Sequence, residues 1–162
     1  MITVALSASI GAPIDRVWRA LTDPSERPEW DERVLGPVTL ARRNVKSKRR
    51  RTVSTPALRK ADWRFRLGSV PLVMHEEVVD ENPNERLVGR ISMGSMQFDQ
   101  TLTLHCEDDE SGPQTRLGMK LVAHNQIAVI GEVVQRLDVQ KLVIEYVDTT
   151  LRQVQKHCEA GA

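Results

Sequence analysis

Residues 125–158 read NQIAVIGEVVQRLDVQKLVIEYVDTTLRQVQKHC, and the predicted architecture depends on them. Apolar residues recur there at the spacing of one helix face, namely Ile127, Ile130, Val134, Leu137, Ile144, Val147, Leu151 and Val154. With Asn125 as N-cap, the pattern predicts a single helix of about 34 residues, or about 50 Å. A coiled coil would need clean heptads, but Lys141 and Asp148 interrupt the a/d seam.

The chain before this helix is dominated by strands. Runs in which apolar residues alternate with polar ones, or that otherwise fit strands, lie at 2–10, 33–41, 52–54, 63–67, 71–80, 87–93, 96–106 and 117–121. Turn-forming residues separate several of them, including Gly68, Asn82-Pro83-Asn84 and the acidic segment 107–113. Strands joined by short turns form an antiparallel sheet, and one face of such a sheet must be covered. The terminal helix is the only predicted element long enough to cover it.

Two short helices are predicted between the first two strands. Pro13 suits the first position of a helix, where its missing N–H costs nothing. An apolar helical face follows as far as Asp23-Pro24, and a second short helix over 24–29 leads into Trp30. The order of elements predicts an α+β helix-grip fold, in which a curved antiparallel sheet of about seven strands wraps around a long C-terminal helix, with residues 1–160 as one domain.

Composition limits the classes of function. No stretch approaches the roughly 20 apolar residues of a transmembrane segment, and the N-terminus lacks the basic start of a signal peptide. Cys106 and Cys158 provide no disulfide framework, so we expect a cytoplasmic protein with reduced thiols. We expect no metal and no cofactor, since the histidines lack metal-ligand spacing and no phosphate loop, dinucleotide fingerprint or nucleophile elbow occurs.

Positive charge is concentrated in one segment. Residues 42–51, RRNVKSKRRR, hold seven lysines and arginines, although the net charge of the whole chain is only +1. Such a segment can bind phosphate or nucleic acid, but no aromatic residue is interleaved for base stacking. A solvated hairpin or loop is therefore the favoured interpretation, and nucleic acid is not the expected partner. An interaction module that binds polyanions is kept as an alternative.

Two segments carry a family resemblance. They are residues 12–24, APIDRVWRALTDP, followed by Trp30-Asp31, and residues 78–87, VVDENPNERL. These segments, together with the position of the hairpin that ends at 115–117, resemble the START-like, Bet v 1-like (SRPBCC) superfamily, which includes polyketide cyclases and aromatases. The resemblance covers essentially the whole chain and implies a cavity between the sheet and the last helix. The sequence departs from the usual pattern in the basic segment and at Pro56, where clean strands are expected.

Strand parity identifies the side chains that would face such a cavity, because successive residues of a strand point to opposite faces. With Trp30 near the mouth and two residues approaching from the helix, the expected lining is Trp30, Phe65, Met74, Glu76, Gly89, Ile91, Met93, Phe98, Gln100, Leu102, Met119, Ile130 and Val134. This surface is mainly aliphatic and rich in methionine, which suits adaptable binding of a hydrophobic ligand. A filled core without a ligand is the alternative.

Glu76 and Gln100 are the candidate chemical groups in this lining. Parity with Met74 points Glu76 inward, where its carboxyl group could act as a general acid or base, and Gln100 could orient a carbonyl or hydroxyl. A bulge near Pro71 would instead turn Glu76 outward, and Gln100 could be a satisfied structural amide. Arg90 has outward parity, and no inward strand position is clearly arginine. Some aromatase/cyclase relatives use a cavity arginine to hold a polyketide carbonyl, so this counts against a cyclase.

The sequence therefore favours a protein that binds a hydrophobic small molecule, such as a lipid, a polyketide or a related natural product, without catalysing its conversion. The expected assembly is a monomer or a weak homodimer. A polyketide aromatase or cyclase that uses Glu76 and Gln100 is the second hypothesis. A self-resistance protein that sequesters a reactive antibiotic is the third.

Overall fold

Antiparallel strands make up most of the molecule. The computed structural model describes residues 1–38, 59–68, 70–124, 127–130 and 133–160. The strands of the main sheet are β1 (Ile2–Ile10), β2 (Val34–Pro37), β3 (Arg59–Leu67), β4 (Val70–Asn82), β5 (Arg86–Met93), β6 (Met96–Cys106) and β7 (Thr115–Ala123). They form one curved seven-stranded sheet in the order β1-β7-β6-β5-β4-β3-β2. The predicted sheet of about seven antiparallel strands is confirmed.

Three helices and a second, small sheet complete the described structure. Helices α1 (Ile14–Thr22) and α2 (Arg27–Trp30) lie between β1 and β2, as predicted. Strands β8 (Ile127–Ile130) and β9 (Val133–Asp138) pair with each other, and helix α3 (Val139–Ala160) ends the described chain. The helix-grip architecture is confirmed. None of the described helices combines the length and the apolar character needed to cross a membrane.

The C-terminal helix is shorter than the sequence predicts. It has 22 residues and begins at Val139, so it is about 33 Å long. The first third of the predicted helix is wrong because residues 127–130 and 133–138 form β8 and β9. This segment is rich in β-branched residues and is interrupted by Gly131, both of which favour a strand hairpin over a helix. Ile130 and Val134 therefore lie on strands, not on the helix, and their side chains fall outside the described part of the structure.

Two further predictions concern the segment between β2 and β3. The basic residues 42–51 and the short strand expected at 52–54 both lie outside the described residues. The strand predicted at 33–41 is described only as β2, which ends at Pro37.

Strand register decides which way Glu76 points. In the β3–β4 pair the register is continuous from Leu67↔Val70 to Arg59↔Val78, so no bulge occurs at Pro71. The irregularity lies further along β4, where the register against β5 shifts between Val78 and Asp80. Glu76 therefore keeps the parity of Met74 and faces the interior, directly opposite Ala61 on one side and Ile91 on the other.

Helix α3 closes the interior of the sheet. Its buried face is formed by Val139, Val143, Tyr146, Val147, Thr150, Leu151, Val154 and Cys158. Opposite it, seven of the predicted lining side chains are at most 4% exposed: Phe65, Met74, Ile91, Met93, Phe98, Leu102 and Met119. All seven belong to the hydrophobic core. Much of the space that the sequence assigned to a pocket is thus filled by these side chains.

Polar contacts fix the C-terminal half of α3 to the start of the chain. The side-chain amide of Gln155 donates to the Ser9 carbonyl at 3.0 Å, and the backbone N–H of Gly11 donates to Glu159 Oε2 at 2.9 Å. These contacts hold the last turns of the helix against the junction between β1 and α1.

Gly89 occupies a position of β5 where a side chain does not fit. A Cβ there would lie 2.6 Å from the carbonyl oxygen of Glu77, a backbone atom of β4 that cannot rotate away. We expect Gly89→Ala to lower the free energy of unfolding by about 2 kcal/mol in urea denaturation. Gly118→Ala is the matched control, since the one close contact of its Cβ would be the Thr103 hydroxyl, at 2.7 Å, and that side chain can rotate. Equal losses in the two variants would contradict this explanation.

Candidate functional site

An arginine from α2 occupies the interior beside Glu76. Arg27 Nη1 lies 2.6 Å from Glu76 Oε1, and the guanidinium lies over the rings of Trp30 and Trp63 at 5.0 and 5.9 Å. Burial by itself would lower the pKa of Arg27, but Glu76, Tyr146 and Asp31 outweigh it and raise that pKa above its ordinary value. Arg27 is therefore a permanent cation inside the fold.

Asp31 joins Arg27 to a second arginine. Its Oδ2 accepts from Arg27 Nε at 2.9 Å, and its Oδ1 accepts from Arg33 Nε at 2.8 Å. The Asp31 side chain is completely buried. Burial would raise the pKa of Asp31, but the adjacent charges of Arg27 and Arg33 lower it below the usual value. Asp31 is thus an ionised carboxylate shared by two guanidinium groups.

Tyr146 of α3 covers the other side of Arg33. The guanidinium lies 4.5 Å from the centre of the Tyr146 ring, and its Nη2 donates to Thr150 Oγ1 at 2.9 Å. The Tyr146 hydroxyl is 3.8 Å from the sulfur of Met74. Burial raises the pKa of Tyr146 to about 12, so its hydroxyl is uncharged at neutral pH.

We call this group of contacting side chains the interior cluster; it consists of Arg27, Asp31, Arg33, Glu76 and Tyr146. Its two cations balance its two carboxylates, so the cluster carries no net charge. A buried ion-pair network is weak evidence for stability, because apolar side chains of the same volume usually stabilise a fold as well or better. Its presence in an otherwise apolar core makes the interior cluster the candidate functional site.

Three cavities adjoin the interior cluster. The first, which we call the groove, is an open space of about 490 Å³ between α3 and the β3–β4 hairpin, with walls that include Arg33, Leu67, Val70, Leu142 and Tyr146. The second, the inner cavity, is about 50 Å³ and lies between the sheet and α3. The third, the side cavity, is about 110 Å³ and lies between the α1–α2 turn and strands β3 and β4.

Side chains of the interior cluster separate these cavities. Tyr146 lines both the groove and the inner cavity, and Arg27 and Glu76 line both the inner cavity and the side cavity. Pockets for small organic ligands usually measure about 300–1,000 Å³, so of these three cavities only the groove has that size. The inner cavity has room for little more than water. From the groove, a larger ligand would enter the interior only if Tyr146 moved.

One group of acidic and histidine side chains within the described ranges has the spacing of a metal site. Ligand atoms of Glu26, Glu29 and His157 lie within 4.8 Å of one another. However, Glu26 accepts from Arg16 Nη1 at 2.8 Å and from Arg19 Nε at 2.9 Å. Burial would raise the pKa of Glu26, but its bonds to His157 and Arg16 lower it. Two guanidinium groups disfavour a further cation there, and the contacts instead tie α3 to α1 and α2.

Comparison with known proteins identifies the family of this chain. Residues 1–159 match the family described as polyketide cyclase/dehydrase and lipid transport. The chain belongs to this family. The START-like resemblance drawn from residues 12–24 and 78–87 is therefore confirmed. A search of the curated proteins finds no significant match.

Solved structures of similar fold span the whole chain of this family member. A START superfamily protein from Mycobacterium smegmatis superimposes with a TM-score of 0.70 at 15% identity, over 99% of both chains. A protein from Thermus thermophilus gives a TM-score of 0.65 at 23% identity, also over 99% of both. A protein from the dynemicin biosynthetic locus gives 0.57 at 19% identity, over 98% of this chain and 49% of that one. At these identities the likeness concerns the fold.

In this polyketide cyclase/dehydrase and lipid-transport family member, the structure gathers about half of the predicted lining residues around the inner cavity. They are Trp30, Glu76, Gly89, Ile91, Gln100 and Leu102. Phe65, Met74, Met93, Phe98 and Met119 are buried but do not line it. Ile130 and Val134 lie on β8 and β9.

Trp30 is not at a pocket mouth, as the sequence had suggested. It is 5% exposed, and its indole N–H donates to the Ala20 carbonyl at 2.8 Å. The indole lies between α1 and the guanidinium of Arg27, and both contacts place it in the core.

Sequence reasoning missed most of the interior cluster. It sought a cavity arginine only at inward positions of strands, whereas Arg27 and Arg33 come from α2 and from the turn that follows it. The signal was present as Arg27 and Asp31 at i,i+4 spacing beside Trp30. A buried arginine nevertheless lies next to Glu76, so the lack of an inward-facing strand arginine no longer counts against a cyclase.

Proposed function

We propose that the protein binds a mainly apolar small molecule, of the lipid or polyketide kind, whose polar groups meet the interior cluster. The observation that carries this proposal is a charge-balanced cluster, buried in an apolar core, between a groove of about 490 Å³ and an inner cavity. Leu67, Val70 and Leu142 supply apolar walls for the body of the ligand. Arg33 and Tyr146 at the inner end of the groove supply polar contacts.

Burial of apolar area drives such binding at about 25 cal/mol per Å². The ligand body would occupy the groove, which already has the required volume. A displacement of Tyr146 would join the groove to the inner cavity, because this side chain lines both. The family description, which includes lipid transport, supports a ligand of this class.

Filling the groove tests this proposal. We expect Leu142→Trp to weaken binding of the neutral apolar dye N-phenyl-1-naphthylamine by at least roughly tenfold in a fluorescence titration, because the new ring occupies the groove. Ile144→Trp is the matched control, since Ile144 lies on the same helix and is 45% exposed. Native mass spectrometry of the purified wild-type protein should also show a bound small molecule. Equal dye affinity in both variants would refute the placement of the ligand.

A polyketide cyclase is the second candidate, and the contact between Arg27 and Glu76 favours it. A carboxylate can remove a proton from carbon next to a carbonyl, and an adjacent guanidinium can stabilise the resulting enolate oxygen. Gln100, the other predicted catalytic residue, lines the same inner cavity as these two. A synthetic poly-β-ketone distinguishes the two candidates: a cyclised product formed by the wild type but not by Glu76→Gln supports the enzyme, whereas binding without product supports a carrier.

A further inference from the structure

The two edges of the main sheet differ in how they are protected. Strands β1 and β2 are the outermost strands of the order. β2 has four residues, its register against β3 shifts between Val34 and Gly36, and it ends at Pro37. Short length, irregular register and proline are the features by which natural edge strands avoid pairing with another chain. β1 has none of them: its nine residues, ITVALSASI, include no proline and no charged side chain, and its register against β7 is continuous.

The alternation of hydrogen bonds shows which backbone groups of β1 face outward. Even-numbered residues of β7 bond to β6, because the bonds from Glu107 to Gln114 and from His124 to Gln97 set this phase. Odd-numbered residues of β7 therefore bond to β1, where their partners are the even-numbered residues of Ile2–Ile10. The N–H and C=O groups of the odd-numbered residues of β1 consequently point away from the sheet.

The outward groups are used at one end of β1 and free along the rest of it. The Ser9 carbonyl and the Gly11 N–H are bonded to side chains of α3, which agrees with this phase. Among the described residues, the outward groups of Thr3, Ala5 and Ser7 have no partner, and all three residues are exposed. An exposed edge with free N–H and C=O groups is a template for a further strand.

The free residues of β1 match one another in an antiparallel pair related by a twofold axis. If Ala5 lies opposite Ala5 of a second copy, Thr3 of each copy faces Ser7 of the other. Each free N–H then meets a free C=O, and about six backbone hydrogen bonds form. A register centred further along the strand would use Ser9, whose carbonyl is already bonded. The side chains at the three free positions are small, so they leave the backbones free to approach.

The same register covers an exposed apolar side chain. Leu6 is 41% exposed, although its parity is that of the buried Ile10. In the pair centred on Ala5, Leu6 lies directly opposite Val4 of the second copy, with Cβ atoms about 4.5–5.5 Å apart. Val4 is itself only partly buried against the core. Each copy therefore shields apolar area that the other leaves in water.

The charges at this edge favour a second copy over a charged partner strand. β1 carries no charged side chain, so a partner strand rich in lysine or glutamate would gain no ion pair from it. Lys120 of β7 pairs with Ala5 and is the charged side chain beside this part of the edge. The two copies of Lys120 would lie three strand spacings apart, about 14 Å, which exceeds the screening length of about 10 Å at 0.1 M salt.

We propose that β1 is a homodimer contact, in which β1 of a second copy pairs with it antiparallel about Ala5 and joins the two seven-stranded sheets. A pair of strands is smaller than the roughly 1,600 Å² of a stable interface, so the dimer is in reversible equilibrium with the monomer. No residue of β1 lines the described walls of the groove, the inner cavity or the side cavity. The contact is therefore independent of the proposed ligand site.

Analytical ultracentrifugation of the full chain tests the contact. We expect the wild-type mass to rise toward that of a dimer between micromolar and millimolar concentration. Ala5→Pro removes the central donor, and proline is tolerated at an edge position whose N–H faces away from the sheet. We expect it to raise the dissociation constant of the dimer at least roughly tenfold, with an unchanged circular dichroism spectrum.

Two lysine variants make this test independent of the proline. Ala5→Lys places two like charges directly opposite each other and should also prevent dimerisation. Leu35→Lys, at a residue of β2 that is 46% exposed, is the matched control and should dimerise like the wild type. The proposal is overturned by a wild type that stays monomeric over this range or forms a larger species only with another polypeptide. Equal dimerisation of the two lysine variants overturns it as well.

Disulfide cross-linking tests the register. In a Cys106→Ser background, which removes the exposed thiol, Ala5→Cys would place two Cα atoms about 5.5 Å apart, within the range of a disulfide. Thr3→Cys is the matched control, because Thr3 faces Ser7 and the two copies of Thr3 lie about 14 Å apart. We expect a disulfide-linked dimer with Ala5→Cys and none with Thr3→Cys under the same oxidation. Any other pattern contradicts the register centred on Ala5 and with it the proposed contact.

Discussion

Replacing Asp31 by alanine is expected to lower the free energy of unfolding by about 3–5 kcal/mol at neutral pH. The carboxylate is completely buried and accepts from both Arg27 and Arg33. Without it, two guanidinium groups stay inside the fold with Glu76 as the remaining carboxylate of the interior cluster. Urea denaturation followed by circular dichroism measures the loss. Asp148→Ala is the control, because this exposed ion pair with Arg152 should contribute less than about 1 kcal/mol.

The pH dependence of the same carboxylate gives an independent check. Burial would raise the pKa of Asp31 above its ordinary value of 3.8, but in the folded state the charges of Arg27 and Arg33 lower the pKa below that value. The contribution of Asp31 to the free energy of unfolding is therefore fully present above pH 3.8. It is lost as the pH falls below that value toward the lower pKa of the folded state. The wild type should lose more stability than Asp31→Ala over this acid range. Parallel pH profiles would show that the interior cluster does not act as described.

Replacing Phe65 by alanine should also cost about 3–5 kcal/mol. The side chain is 0% exposed, its ring centre lies 6.2 Å from that of Tyr146, and the Arg33 guanidinium lies 5.3 Å above it. The substitution removes apolar burial, leaves a void and takes away a partner from Tyr146. Thermal and urea unfolding measure the change.

The Phe65 result distinguishes a packed interior from a hollow one. Phe65 was predicted to line a ligand pocket, but the structure places it in the hydrophobic core. A loss of less than about 1 kcal/mol would indicate that the ring stands at the edge of empty space rather than among packed side chains. Leu35→Ala, at a residue that is 46% exposed, is the control and should change stability by about 0.5 kcal/mol or less.

Local periodicity was sufficient to predict the sheet, but it left the direction of Glu76 open, because a bulge at Pro71 would have reversed it. Alternation from Trp63 to Leu67 matches a strand whose register against β4 is unbroken, and alternation across 87–93 matches one whose register against β6 is unbroken, so parity transfers directly from sequence to structure. The start of α3 could not be predicted in the same way. The apolar residues of 127–138 satisfy a helical period, although their β-branched character and Gly131 favour strands.

The candidate site was less accessible to sequence reasoning than the fold. Arg27 lies on a helix of four residues, too short for its periodicity to reveal that one charged side chain points inward. The sizes of the cavities depend on how Phe65, Tyr146 and Arg33 pack in three dimensions, which strand parity does not describe. Parity identified residues on the inner face, but it could not separate those that line a cavity from those that fill the core.

The uneven anchoring of α3 has a consequence for how the interior would widen. Gln155 and Glu159 bond the last turns of the helix to Ser9 and Gly11, whereas Tyr146 near its start borders the groove. A displacement of the first turns of α3 that admitted a bulky ligand would therefore have to break the contacts of Arg33 with Tyr146 and Thr150, while the bonds at the C-terminal end of the helix could stay intact. Ligand size would then be limited by the strength of the Arg33 contacts.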